Sequence, residues 1–282
     1  METKNVKIGD SPQPKDPQAA QDAAVKGSLK KIKNKIIVMS GKGGVGKTSV
    51  SVNLALALSN KGFKVGIMDV DLHGPDVPRM LGIKGMLDLS KDKKLIPLEY
   101  SKNLAVLSIE SLTPNEDDAI IWRGPMKYAA IQQFIGEVQW GDLDFLIIDS
   151  PPGTGDEPLT IAQTIPDAKA VIVTTPQEVS LADVRKSINF CKTVKTDIFG
   201  LLENMSGLVC PHCDKTIDLF GSGGGEKTAL AFGVKFLGSV PLDPDIVNCG
   251  DSGISYQEKF ANSQATKAFS NVAEKMAKLV NT

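Results

Sequence analysis

Residues 41–48 read GKGGVGKT and follow the apolar run KIIVMS at 35–40. Gly41, Gly46, Lys47 and Thr48 complete the pattern G-x-x-x-x-G-K-S/T, and its place between an expected strand and an expected helix fixes its reading as a phosphate-binding loop. Glycines let backbone N–H groups approach a phosphate without Cβ clashes, and the helix N-terminus adds positive potential. Gly41, Lys42, Gly43, Gly44, Val45, Gly46, Lys47, Thr48 and Ser49 are therefore the candidate nucleotide-binding residues. Lys47 is expected on the β- and γ-phosphates and the Thr48 hydroxyl on Mg2+. Lys42 is a second lysine that such a loop does not require.

The rest of the chain has the pattern that suits such a loop. Short apolar runs at 35–40, 64–69, 104–109, 145–150, 170–174, 198–203 and 236–240 alternate with amphipathic stretches near 48–60, 126–138, 157–164, 180–195, 225–232 and 256–280. Continuous β-branched runs suit strands buried on both faces. The expected fold class is α/β: a doubly wound, mostly parallel sheet with helices on both faces and ligands at the carboxyl ends of the strands. The segment 83–102 is polar and reads as an excursion outside the core sheet. Residues 1–29, with Pro12, Pro14 and Pro17 among Lys, Gln, Asp and Ala, read as a disordered polar tail, leaving 30–282 as the P-loop domain. Lys26, Lys30, Lys31, Lys33 and Lys35 read as a solvated lead-in to the first strand.

Composition removes several classes of function. Lys and Arg (32) nearly balance Asp and Glu (33), so there is no electrostatic case for nucleic-acid binding. No apolar run approaches the length needed to span a bilayer, and the polar N-terminus lacks the apolar core of a signal peptide. A cytoplasmic location without membrane attachment is expected. Four cysteines in 282 residues are too few for a disulfide scaffold.

Acidic residues supply the other half of the phosphate site. Asp149 closes the apolar run FLIID, where the metal-side acid of an NTPase belongs, and the following SPPGTGD suits a loop that responds to the γ-phosphate. Asp69, Asp71 and Asp76 cluster after the second strand, and one of them is expected to orient water or hold Mg2+ through water. Cys210 and Cys213 form a C-x-x-C pair, a spacing that lets both sulfurs face one metal or cluster. A tetrahedral metal or a 4Fe-4S cluster wants four ligands, so the pair is half a site. Cys249 and Cys191, His212, or a second copy of the chain could complete it. Cys191 shares a helical face with Leu181, Val184 and Ile188 and reads as core. Cys249 falls in a loop-like segment, and His212 would point away from a site held by its two neighbours. The second copy is the favoured completion.

The motifs KGGVGKTS, DVDLHGPDVPRMLG, IWRGPMK, DFLIIDSPPGTGDE, LLENMSGLVCPHC, GSGGGEKTA and LGSVPLDPDI occur in this order. Together they resemble the Mrp/ApbC family of iron–sulfur cluster carrier ATPases, within the class of P-loop proteins that includes MinD, ParA and the nitrogenase iron protein. The resemblance covers roughly residues 30–280. It implies an ATPase that binds a labile 4Fe-4S cluster at a homodimer interface and passes it to apo-proteins, with scaffold proteins as donors or recipients. By the same resemblance Lys42 is the lysine that reaches the partner's nucleotide, Asp71 lies near the attacking water and Asp149 is the acid on the Mg2+ side. Asn204 recognises adenine, and Pro241 and Asp243 line the base pocket. The first 29 residues hold no cysteine, so cluster binding rests on Cys210 and Cys213 in a loop near 205–225. Two other readings keep the ATPase: a MinD/ParA-like switch for spatial organisation, and a structural zinc on the shared cysteines.

Overall fold

The computed structural model describes residues 17–71, 74–112, 124–210, 213 and 215–281. Its centre is an eight-stranded sheet. In chain order the elements are α1 (Pro17–Leu29), β1 (Ile32–Met39), α2 (Lys47–Asn60), β2 (Val65–Asp69), α3 (Val77–Leu81), β3 (Asp88–Leu89), β4 (Leu95–Ile96), β5 (Leu98–Ser101), β6 (Leu104–Ser108), α4 (Gly124–Gly136), β7 (Leu143–Asp149), α5 (Asp156–Thr164), β8 (Lys169–Thr174), α6 (Glu178–Val194) and β9 (Asp197–Glu203). They are followed by β10 (Leu208–Val209), β11 (Thr216–Ile217), α7 (Gly224–Phe232), β12 (Phe236–Ser239), α8 (Pro244–Asp251), α9 (Tyr256–Lys259) and α10 (Gln264–Val280). The sheet order is β12-β9-β8-β1-β7-β2-β6-β5, parallel except at the β5 edge. This is the α/β doubly wound fold expected from the apolar runs, and all seven expected strands are present.

Strand parity explains how two cores form. Ile36, Val38, Phe145 and Ile147 face α2 and α10, while Ile37, Met39, Leu146 and Ile148 face the side covered by α1, α4, α5 and α6. Successive side chains of a strand point to opposite faces, so a strand that is apolar at every position feeds both layers. The loop helix α2 is buried on most of its circumference, because α10 lays Phe269, Val272, Ala273 and Met276 over it. Replacing the fully buried Phe269 by Ala would cost about 3–5 kcal/mol.

Four expectations change. Residues 17–29 are a helix, not a disordered tail: Val25 and Leu29 are buried, α1 packs on α4, and Ser28 Oγ donates to the Val138 carbonyl at 2.8 Å. The folded unit thus begins before residue 30. Lys35 is not solvated, since it is buried and its ammonium donates to Asp167 at 2.7 Å and to the Ile32 carbonyl. Part of the 83–102 segment does leave the sheet as the β3–β4 ribbon, but β5 returns to it as the antiparallel edge. The stretch 256–280 is two helices, because Ser263 caps α10 by accepting from the Thr266 N–H.

Candidate nucleotide site and cysteine ribbon

The phosphate loop leaves the carboxyl end of β1, the central position of the parallel sheet. Gly44 and Gly46 have φ of 80° and 78°, the left-handed region that glycine enters without penalty. A Cβ on Gly46 would also stand 2.4 Å from Asn204 Nδ2. Gly46 caps α2 with no side-chain bond, which leaves the first N–H groups of that helix for an anion. Val45 is buried and anchors the loop, while Gly43 and Gly44 are exposed at its tip. A Cβ on Gly41 would stand 2.4 Å from the Asp183 carbonyl oxygen of α6, so only glycine fits there.

Register brings the acids to this loop. Val38 of β1 pairs with Asp149 of β7, and Asp149 pairs with Asp69 of β2. Asp149 is fully buried and accepts from Lys47 Nζ at 2.9 Å, Thr48 Oγ1 at 2.7 Å and Ser51 Oγ at 2.7 Å. Ser51 was not anticipated, although its place one helical turn after Lys47 was a signal. Asp69 is also fully buried. Desolvation and then the neighbouring Asp149 push its carboxyl well above the usual aspartate range, against the pull of its bonds from the Val77 and Asp71 N–H groups. Asp69 therefore shapes the turn that carries Asp71, and Asp71 is buried beside it. Asp76 sits at the start of α3 and pairs at 3.7 Å with the exposed Arg79.

The two lysines differ. Lys47 is 7% exposed and paired, whereas Lys42 is half-buried with no ion-pair partner among the described residues, its carbonyl accepting from Ser40 Oγ. Asn204 follows β9 and donates through Nδ2 to the Val45 carbonyl at 3.0 Å, so its side chain lies on the phosphate loop. Asp243 caps α8 by accepting from the Asp245 N–H and also accepts from the Tyr256 hydroxyl.

The cysteine pair stands on a two-stranded antiparallel ribbon, β10 against β11, that follows β9 in the chain. The Cys210 N–H donates to the Lys215 carbonyl at 3.0 Å and closes the turn. Cys210 is half-buried and Cys213 exposed, and none of the four cysteines is in a disulfide. Cys191 is buried with its thiol toward Met39 Sδ, and burial pushes it up to about 11, which fits the core role read from its helical face. Cys249 lies inside helix α8, only 2% exposed, rather than in a loop. His212 and the Trp122–Arg123 segment lie outside the described residues. Among the described residues no three His, Cys, Asp or Glu side chains converge as a metal site, and no helix is long and apolar enough to cross a membrane.

These elements define a nucleotide-binding P-loop NTPase. Residues 31–277 match the family model described as ParA, NUBPL iron-transfer P-loop NTPase. The chain is 50% identical over 264 residues to the iron-sulfur cluster carrier protein of Saccharolobus solfataricus, covering 93% of this chain and 89% of that one. It is 44% identical over 259 residues to the rat (Rattus norvegicus) cytosolic Fe-S cluster assembly factor NUBP2, covering 90% and 96%. A nucleotide-binding protein of Archaeoglobus fulgidus solved in complex with ADP superposes with a TM-score of 0.73 at 39% identity, over 82% of this chain and 91% of that one. The chain belongs to the family of iron-transfer P-loop NTPases that includes the iron–sulfur cluster carriers.

Proposed function

We propose that the protein is a cytoplasmic ATPase that carries a labile 4Fe-4S cluster on Cys210 and Cys213 of two copies of the chain and delivers it to apo-proteins. The observation that carries this reading is a complete phosphate site and an accessible cysteine pair, both reached from the end of one strand, β9. Two thiolates per chain satisfy half of a cluster, so the cargo sits on the axis between protomers. Scaffold proteins and apo iron–sulfur proteins are the donors and recipients; neither nucleic acid nor membrane is required.

In the nucleotide step, the N–H groups of 43–48 and Lys47 hold the phosphates. Thr48 and Asp149, a hydroxyl beside a carboxylate, fit a hard oxygen-seeking cation and would hold Mg2+, which neutralises charge on the transferred phosphoryl group. Lys47 and Thr48 now rest on Asp149, and phosphate draws the Lys47 ammonium toward itself. Asp71 orients the attacking water, with its loop fixed by Asp69. Lys42, lacking an ion-pair partner among the described residues of its own chain, reaches the nucleotide of the second copy. Asn204 reads adenine once its amide leaves the Val45 carbonyl.

The test is anaerobic reconstitution with iron and sulfide. The parent is expected to develop a visible band that bleaches in air, and the Cys210→Ala/Cys213→Ala variant to take up neither element while still binding ADP. Equal iron and sulfide in that variant, or a colourless air-stable site holding zinc, would overturn the carrier reading.

A further inference from the structure

Glu203 ends β9 with no exposure to solvent, one residue before Asn204. Its Oε1 accepts from Ser206 Oγ at 2.6 Å and from the Gly223 N–H at 3.0 Å, and its Oε2 accepts from the Gly225 N–H. Ser206 is where the chain leaves the sheet for the cysteine ribbon; Gly223 to Gly225 is where it comes back and opens α7. One carboxylate therefore ties down both feet of the excursion that bears Cys210 and Cys213.

The glycine-rich run at 221–225 is built around this tie. Gly223 has φ of 73°. A Cβ on Gly224 would stand 2.7 Å from the Pro176 carbonyl oxygen, and one on Gly225 would stand 3.0 Å from Glu203 Oε2. The first N–H groups of α7 and its positive dipole end suit a carboxylate. Between the tied positions, Met205 is held at φ 57°, a conformation unfavourable for a residue with a Cβ that persists only where neighbours enforce it. The next side chain along, Asn204, is bonded to the phosphate loop. Adjacent residues at the end of one strand thus grip the nucleotide site and the cysteine ribbon.

We propose that Glu203 is the positioning residue that transmits nucleotide occupancy to the cysteine pair: a shift of Asn204 on the phosphate loop moves both feet of the ribbon as one body. The inference rests on the nucleotide and cysteine roles proposed above, but its test needs no cluster. Cys213 in the cluster-free, full-length protein is alkylated with iodoacetamide with and without Mg-ADP, and the modified peptide is followed by mass spectrometry. ADP, rather than ATP, keeps closure of two chains out of the readout.

ADP is expected to change the parent's alkylation rate by about fivefold or more. Glu203→Gln retains one acceptor oxygen and presents N–H₂ where the other stood. It is expected to bring the ratio to within about twofold of one while ADP affinity changes less than about threefold. Ser206→Ala cuts only the outgoing foot and is expected to give an intermediate ratio. It also decides the question should Glu203→Gln fail to fold. A parental ratio in whichever of these variants folds overturns the proposal, as does a parent whose Cys213 ignores ADP. Neither result touches the carrier reading, which stands or falls on iron uptake by Cys210 and Cys213.

Discussion

The phosphate loop and the cysteine ribbon are both anchored at the carboxyl ends of one parallel sheet, yet they are built in opposite ways. At the phosphate loop, three donors from α2 converge on a single buried carboxylate, and the backbone is fixed by glycine conformation and a buried valine. At the ribbon, two strands of two residues each carry a half-buried and an exposed thiol, and the tie is at the base rather than the tip. A site that closes on its own must bury and satisfy its polar groups, because an unpaired buried charge is costly. A site to be finished by a second molecule must leave its reactive atoms reachable. The difference supports the proposed reading, in which phosphate is held within one chain and the cysteine pair is half of a shared site.

The contrast breaks most severely at Asp149. Asp149→Asn leaves the Lys47 ammonium buried without its counter-charge, and is expected to cost about 3–5 kcal/mol in urea unfolding and to lower ATP hydrolysis at least about 100-fold. Lys42→Ala should be far milder for the fold. Hydrolysis should fall roughly 10-fold or more while ADP affinity stays near the parent's, since in the proposed reading Lys42 acts across two chains and its loss affects turnover rather than single-chain binding. A proportional loss of ADP binding would place Lys42 inside its own site.

Cys191→Ala and Cys249→Ala sharpen the other side. Each trims a small buried side chain and should cost on the order of 1 kcal/mol, with iron content after reconstitution unchanged. Iron loss in Cys249→Ala would show that the cluster site draws on α8. The smallest effect belongs to Asp144, remote from both sites. Its bond from Lys33, then that from the Lys64 N–H, holds its carboxyl below the ordinary 3.8, so its contribution is present above that pH and is lost as pH falls through the depressed value. Asp144→Asn should lower the thermal midpoint by no more than about 2 °C at neutral pH, and the gap should close in acid.

What was legible in the sequence followed from the same contrast. Strands buried on both faces announce themselves by a continuous apolar run, as at Phe145–Ile148 of β7. The phosphate loop was legible because its chemistry fixes residue types at fixed spacing, and Asp149 because it closes an apolar strand. Helix α1 was not, since alanine, glutamine and aspartate surround only Val25 and Leu29 on its buried face. Edge strand β5 is half-exposed and antiparallel, without the signal of a central strand. Cys249 read as a loop residue because glycine and asparagine flank it, yet Asp243 and Pro244 start a helix there. Glu203 acts through glycines 20–22 residues away, and no local pattern encodes such a return of the chain, whereas Ser51 stands one helical turn after Lys47, a signal within reach of the sequence.

The central claim, one nucleotide site per chain but one cluster per two chains, is tested most directly by anaerobic iron and sulfide analysis of the reconstituted protein with its mass measured by light scattering. The expected species is two chains holding about two iron and two sulfide per chain, that is, one 4Fe-4S cluster between them. Four iron on a single chain that remains monomeric would contradict it.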